Sequence, residues 1–187
     1  MITISLERPA AARDLAGLLL SPLANRWAHT QTAAAQAETV VATVPLTDRD
    51  HLIAAAWLHD IGYAEQLVDT GFHPLDGARY LLRNGAPMRL AALVAHHSEA
   101  ALLAEAHGLL DELEEFPRGH LLVCDALVYA DMTAGPAGQR MRVSDRLADI
   151  RRRHADEGPR LEPARLSREP LLTAAVARVQ RRMDDPR

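Results

Sequence analysis

Prolines and glycines divide this chain into short apolar segments in which the hydrophobic residues recur with the period of an α-helix. Val143, Leu147 and Ile150, for example, have the i, i+4, i+7 spacing of one helical face, and no segment alternates as a half-buried strand does. Aromatic residues make up only 4% of the chain, so alanine and leucine, which favour helices, must fill the core. The sequence therefore predicts an all-α fold, a compact single-domain helical bundle.

The same prolines and glycines, together with capping residues, predict where the helices lie. Ser21 and Pro22 have the pattern of a helix start, and a capping box at Thr47 and Asp50 opens a helix that should stop at Gly62. Further helices are expected at about residues 10–20, from 74 to 85, from 87 through 98–101, from 117 to about 131, and twice within 143–185, the last one capped by Ser167.

Length, charge and cysteine content limit the class of protein. The 187 residues suit one domain, and the single cysteine, Cys124, excludes an intramolecular disulfide and an all-cysteine zinc site. The sequence shows no secretory signal and no apolar run near the roughly 18 residues of a membrane span, so a cytoplasmic protein without a membrane partner is expected. The net charge of −4 argues against a nucleic-acid partner, and the 13 arginines against 8 acidic residues in 140–187 are interpreted as a solvated helical surface.

Two adjacent polar residues, His59 and Asp60, fall on the apolar stripe that Leu52, Ile53 and Ala56 define. Both are therefore expected to lean toward the core. Burying a carboxylate costs several kcal/mol unless a cation or several donors compensate its charge, and a neighbouring histidine could ligate the same cation. In isolation, such a pair is more often a helix-end carboxylate beside a satisfied core histidine.

The pair is not isolated in this sequence. Asp131 follows Leu127 and Val128 by four and three residues, so a second carboxylate points along an apolar stripe. His29 lies on the early alanine-rich helix, and Arg26 precedes it by one turn on the same side. One histidine, a His-Asp pair and a late aspartate on three helices could close around one cation inside a bundle.

This order of residues resembles the HD-domain superfamily of metal-dependent phosphohydrolases, whose pattern is a histidine, then His-Asp, then a distant aspartate. The residues from Leu58 to Gly62 match the HDIG variant of the signature, and the resemblance covers about residues 20–135. It implies one HD-type domain over residues 1–187, with a metal-binding core at about 20–135 and the helices of 143–185 packed on it. The implied ligands of one metal are His29, His59, Asp60 and Asp131.

Three further histidines fit members of the superfamily that hold two metals. By resemblance, His73 and one of His96 and His97 would hold a second metal, with Asp60 as the bridge. Which of the adjacent pair is the ligand stays open, because one of two neighbouring histidines usually faces elsewhere. His73 alone is equally well interpreted as a helix cap. The remaining histidines, interpreted as surface or packing residues, are His51, His107, His120 and His154.

The resemblance also implies a divalent cofactor and a hydrolytic mechanism. Imidazole and carboxylate ligands suit Mn, Fe, Co, Ni or Mg without selecting one of them. A water activated by the ion would attack phosphorus in line. The candidate catalytic residues are Asp60 as the metal bridge, Arg26 as a phosphate ligand and His96 as an acid or base. Glu99 is an alternative to His96, whereas Asp125 is disfavoured because it precedes Asp131 by six residues and so lies on a different helical face. Arg142 and Arg146 are weaker alternatives to Arg26.

The expected partner is a small phosphate ester or a nucleotide, and these features are compatible with a homodimer. Cyclic dinucleotides are disfavoured as substrates, because the subgroup that cleaves them has an acidic, glycine-rich stretch ending in Gly-Tyr-Pro where residues 98–101 here continue as a predicted helix. Two other functions stay open. One is a di-iron oxygenase of a small alcohol or phosphonate, and the other is a non-catalytic domain that binds a nucleotide or partner and uses its metal for structure.

Overall fold

The computed structural model describes residues 5–155 and 158–185 and confirms the all-α fold. No β-strand occurs in these two stretches, where an isolated backbone bridge joins Ala134 and Arg140. The helices are α1 (Pro9–Leu20), α2 (Ala24–Val40), α3 (Arg49–Leu58), α4 (His73–Arg83), α5 (Met88–Ala95), α6 (Ala100–His107), α7 (Leu110–Glu114), α8 (Leu121–Met132), α9 (Val143–Arg153) and α10 (Glu162–Asp184).

Helix α3 lies at the centre of the bundle and packs against α1, α2, α5 and α8. A helix that is apolar on several sides needs neighbours on those sides, and its alanines let the neighbours approach closely. Its buried residues are Leu52, Ala54, Ala55, Ala56 and Leu58. Because α3 runs through the core, the chain delivers the next two residues, His59 and Asp60, to the interior, where both are buried.

The C-terminal helices cover one side of this bundle. Helix α10 packs along α8 and also contacts α6 and α9. A second apolar cluster joins α8, α9 and α10. It consists of Val128, Met132, Leu147, Leu172, Ala175 and Val176. This cluster holds α9 and α10 over the end of α8 that carries Asp131. None of the helices in the described residues is both long enough and apolar enough to cross a membrane.

Several local predictions were wrong. No side chain caps α3, so Thr47 and Asp50 form no capping box, and α3 ends at Leu58 instead of reaching Gly62. Helix α8 begins at Leu121, not at Pro117. Asp48, which directly precedes α3, pairs with Arg89 of α5 and does not cap the helix.

Helix α10 also differs from its predicted form. It begins at Glu162, five residues before the predicted cap Ser167, and continues through Pro170. A proline inside a helix removes a backbone hydrogen bond and costs about 3 kcal/mol. The apolar stripe that follows Pro170 packs against α8, and this tertiary contact offsets the cost.

Candidate metal centre

Histidine and aspartate side chains converge in two neighbouring clusters. In each cluster three side chains each offer one ligand atom, and the three atoms lie within 4.8 Å of one another. The first cluster consists of His29, His59 and Asp131, and the second of Asp60, His73 and His97. The structure thus brings together every residue that the sequence proposed as a metal ligand except His96.

The first cluster is fully buried and joins three helices. His29 comes from α2, His59 directly follows α3, and Asp131 lies in the last turn of α8. The Nε2 atoms of His29 and His59 are 3.3 Å apart, and Asp131 Oδ1 lies 3.1 Å from His29 Nε2. Because α2, α3 and α8 all pack on one another, the bundle itself sets these distances.

The second cluster lies at the start of α4 and the end of α5. His73 is the first residue of α4, and His97 follows α5. Their Nε2 atoms are 3.3 Å apart, and Asp60 Oδ1 lies 3.4 Å from His73 Nε2. Helices α4 and α5 pack side by side, which brings the two imidazoles together.

Asp60 connects the two clusters. Its Oδ2 faces the first cluster, 3.4 Å from His59 Nε2 and 3.7 Å from His29 Nε2, while its Oδ1 faces His73. Arg26 Nη1 donates a hydrogen bond of 2.8 Å to Oδ2 and so fixes the plane of the carboxylate. One carboxylate therefore presents an oxygen to each cluster, which is the arrangement that a bridging ligand needs.

Backbone carbonyls set the orientation of two of the rings. His59 Nδ1 lies 2.8 Å from the carbonyl oxygen of Ala56, and His97 Nδ1 lies 2.6 Å from that of Val94. A carbonyl oxygen can only accept, so in the neutral form of each ring Nδ1 carries the proton and Nε2 presents a lone pair. In that form, which is the one that ligates a metal, the lone pair of His59 faces Asp60 Oδ2. A cation between these atoms would relieve that contact, so the donor set fits a divalent metal.

Both carboxylates are held in the charged form. Burial would raise the pKa of Asp60, but the neighbouring Arg26 guanidinium keeps it well below its usual value. Burial would likewise raise the pKa of Asp131, and His29 together with Arg146 lowers it well below that value. A divalent cation requires ionised carboxylates, and the site supplies them at neutral pH.

The imidazoles of the second cluster are held neutral. Burial lowers the pKa of His73 well below its usual value, and burial lowers the pKa of His97 to about 4. A histidine must be neutral to ligate a metal, so no proton has to be removed from either ring near pH 7.

Gly62 occupies a position at which no side chain fits. A Cβ there would lie 2.0 Å from the carbonyl oxygen of His73 and 2.8 Å from the backbone nitrogen of Gly77. The 3₁₀ turn Ile61–Tyr63 therefore packs directly on the first turn of α4. This close approach brings His73 within reach of Asp60, which gives the glycine of the HDIG string a physical role.

Gly62→Ala is expected to lower the free energy of unfolding by about 3 kcal/mol, because the methyl group overpacks the contact with α4. The shift of α4 should also weaken metal binding at the second cluster more than at the first. Urea unfolding and elemental analysis measure the two effects. Gly17→Ala is the control, since a Cβ there meets Trp27 at an ordinary 3.5 Å. Equal stability of the two variants would contradict the role of the close contact.

A cavity of about 280 Å³ opens beside the two clusters. Four candidate ligands and Arg26 form part of its wall, and the rest comes largely from residues that the sequence did not single out. These include Tyr63, Phe72, Ser98, Leu103, Ile150, Arg153, Arg165 and Arg168. The arginine excess of residues 140–187, interpreted as a solvated surface, was the available signal for the last three. Arg153 is exposed as that interpretation expects, but it also lines the cavity, and Arg165 and Arg168 are only partly exposed.

A strained turn borders this cavity between α5 and α6. Ser98 and Glu99 have φ values of 50° and 56°, where the predicted helix would have continued, and this left-handed region costs roughly 1–2 kcal/mol for each non-glycine residue. Ser98 Oγ donates a hydrogen bond to Asp131 Oδ2, and Arg168 donates two to the carbonyl oxygen of Ser98. The turn therefore links His97 of the second cluster to Asp131 of the first. Glu99 does not line the cavity.

Two acid-base candidates lie away from the centre. His96 Nε2 lies 2.8 Å from the carbonyl oxygen of Phe116, and the ring does not line the cavity. Of the adjacent pair, the structure places His97 in the second cluster and on the cavity wall, and it does not bring His96 to either cluster. Asp125, which the spacing already disfavoured, is bound through both of its oxygens by Arg178 and Arg182.

One of the two weaker arginine candidates lies at the centre and the other does not. Arg146 Nη2 approaches Asp131 Oδ1 to 3.7 Å, whereas Arg142 does not line the cavity. His107 and His154, which the sequence interpreted as surface or packing residues, both line it. These assignments depend on how the C-terminal helices cross the bundle, which no local pattern encodes.

A family model described as HD domain matches residues 26–175, which carry both clusters. The chain belongs to the HD domain family. The match extends beyond the expected residues 20–135, through α9 and into α10, so the cavity-lining arginines Arg153, Arg165 and Arg168 fall within it. Comparison with curated proteins and with solved structures found no match. Membership of the HD domain family indicates metal-dependent hydrolase activity in general.

Proposed function

We propose that this HD domain protein is a metal-dependent phosphohydrolase that cleaves a small phosphate ester or a nucleotide by attack of water. The observation that carries the proposal is Asp60, one carboxylate shared between two ligand clusters that border an arginine-lined cavity. A structural metal site is closed by its protein ligands, whereas a catalytic site keeps positions open for water and substrate. Ligands that face a cavity fit the second description.

The two clusters would each hold one divalent ion. The ligands of the first would be His29, His59, Asp131 and one oxygen of Asp60, and those of the second would be His73, His97 and the other oxygen of Asp60. Mixed imidazole and carboxylate donors suit Mn, Fe, Co, Ni or Mg. When bound, such ions polarise a phosphoryl oxygen and lower the pKa of the attacking water.

Arg26 is the residue we assign to the reacting phosphoryl group. Its Nη1 holds Asp60, and its guanidinium lies over the Tyr63 ring, with Cζ 3.8 Å from the ring centroid. These two contacts fix the plane of the guanidinium at the cavity wall. The remaining N–H groups can donate to phosphoryl oxygens, where a planar and permanently charged donor is most effective.

Two other functions would use the same residues. A di-iron oxygenase could employ the shared Asp60 and both histidine clusters, and it would differ from a hydrolase by consuming oxygen. A non-catalytic domain with a structural metal would need neither an open cavity beside the clusters nor several arginines lining it. The cavity therefore favours an enzyme over a binding module.

Protein loaded with Mn, Fe, Co or Ni is expected to release phosphate from at least one member of a panel of nucleotides and small phosphomonoesters. The assay is run without oxygen, and elemental analysis measures the metal content of the same sample. Activity should disappear with a chelator and return with the metal. Metal-loaded protein that releases nothing from the panel would contradict the proposal, and turnover that requires oxygen would favour the oxygenase.

A further inference from the structure

Four arginines of the two C-terminal helices line the cavity beside the metal clusters. Arg146 and Arg153 lie on α9, and Arg165 and Arg168 lie on α10. We call these four residues the arginine wall. Together with Arg26 they place five guanidinium groups around a cavity of about 280 Å³.

The charge of the arginine wall exceeds what one reacting phosphoryl group needs. Within residues 5–155 and 158–185, the acidic residues that line the cavity are Asp60 and Asp131, and both are candidate metal ligands. The hydrogen-bond partner of Arg168 is a neutral backbone carbonyl, that of Ser98, and no carboxylate of the described residues forms an ion pair with it. Burial accordingly lowers the pKa of Arg168. Such partly buried cations are stabilised by a bound anion.

Some of this charge is balanced within α9. Asp149 Oδ2 lies 2.8 Å from Arg153 Nε and 3.5 Å from Arg146 Nη1. These contacts fix the side chains and leave other N–H groups of each guanidinium, because an arginine has five donors. The arginine wall is therefore preorganised for an oxyanion.

We infer that the substrate is compact and carries a second anionic group, which the arginine wall binds while the first phosphoryl group lies at the metals. The inference rests on the proposed function. The second group is an oxyanion, either a phosphate or a carboxylate. Each charge-assisted hydrogen bond to it adds binding energy and fixes the orientation of the reacting end.

The size and the lining of the cavity favour a small molecule. Its volume lies just below the roughly 300–1,000 Å³ that is typical of pockets for larger ligands. The aromatic rings of its wall are already engaged. Tyr63 stacks on His73 and carries Arg26 over its ring, and Phe72 packs on His107. The described part of the cavity thus offers charge for a second oxyanion and no open aromatic face for a nucleobase.

Non-hydrolysable phosphonates test this inference without turnover. The metal-loaded protein is titrated calorimetrically with methylphosphonate, with methylenediphosphonate and with phosphonoacetate, whose second group is a carboxylate. We expect the diphosphonate to bind roughly tenfold or more tightly than methylphosphonate. Tight binding of phosphonoacetate as well indicates that any second oxyanion is accepted, and its absence indicates a second phosphate.

Arg153→Gln and Arg152→Gln form a matched pair of variants. Both arginines lie on α9 and both bind Asp149 at 2.8 Å, but only Arg153 lines the cavity. Arg153→Gln should remove most of the preference for the diphosphonate, and Arg165→Gln should weaken it, whereas Arg152→Gln should retain it. The pair also controls for chelation. If the diphosphonate removed metal from the protein instead of binding in the cavity, the signal would change equally in Arg153→Gln and Arg152→Gln.

The inference would be overturned if the wild type bound methylphosphonate and methylenediphosphonate equally. It would also be overturned if Arg153→Gln and Arg152→Gln had equal effects. The outcome is separate from that of the proposed function. Hydrolysis of simple phosphomonoesters without a preference for the diphosphonate would refute the arginine wall alone. A preference that depends on Arg153 in a protein without hydrolase activity would refute the proposed function alone.

Discussion

Replacing Asp60 by asparagine is expected to remove metal from both clusters and to lower the rate of phosphate release by about 1,000-fold or more. The amide has the same shape but no charge, and it is a poor ligand for a divalent cation. Because one oxygen of Asp60 faces His59 and the other faces His73, both clusters lose an anionic ligand in a single substitution. Elemental analysis and initial rates measure the two losses.

Asp48→Asn is the matched control for this variant. Asp48 is also buried and also pairs with one arginine, Arg89, but it precedes α3 and does not line the cavity. Each substitution leaves one arginine without its carboxylate, so Asp48→Asn controls for the loss of a buried aspartate paired with an arginine. Asp48→Asn should keep its metal and its turnover. Full metal occupancy in Asp60→Asn would show that no metal depends on the shared carboxylate.

Two buried aspartates of α8, Asp125 and Asp131, are expected to have opposite roles. Asp131→Asn should lower turnover by about 100- to 1,000-fold, because the first cluster loses its own carboxylate, while the protein stays folded. Asp125→Asn should keep the turnover of each folded molecule and lower the free energy of unfolding by about 2 kcal/mol. The loss is moderate because Arg178 and Arg182, its partners, are 36% and 23% exposed and water replaces part of the interaction.

Turnover, urea unfolding and far-UV circular dichroism, measured on both aspartate variants, separate these roles. The pair controls for the helix, for burial and for the loss of one negative charge near an arginine. An inactive but fully stable Asp125→Asn, or an active Asp131→Asn, would show that the catalytic carboxylate has been assigned to the wrong turn of α8.

Much of the fold and of the first cluster followed from local spacing. The periodic apolar stripes predicted the helices, and the confirmed all-α fold has helices near most of the predicted positions. His59, Asp60 and Asp131 were expected to face inward because each continues such a stripe, and all three are buried. A histidine or carboxylate on an apolar face must have a buried partner, so the sequence already pointed to a cation.

The second cluster was less accessible to local reasoning. His96 and His97 have the same type of side chain and the same neighbours in the chain, and only the packing of α5 turns His97 toward His73. The left-handed turn at Ser98 was predicted as helix, because the contacts that stabilise it come from Asp131 and Arg168, far along the chain. No propensity of the segment itself encodes those contacts.

The arginine wall shows most clearly that local sequence patterns do not encode contacts between distant segments. Periodicity assigned Arg153 and Arg168 to amphipathic helices, and their charge predicted a solvated face, yet both line the cavity beside the metal ligands. The spacing of residues along a helix establishes which side chains share a face, since the helical repeat is a local property of the backbone. Which faces then meet depends on how all the helices pack together, and this global arrangement turned a run of arginines into part of the site.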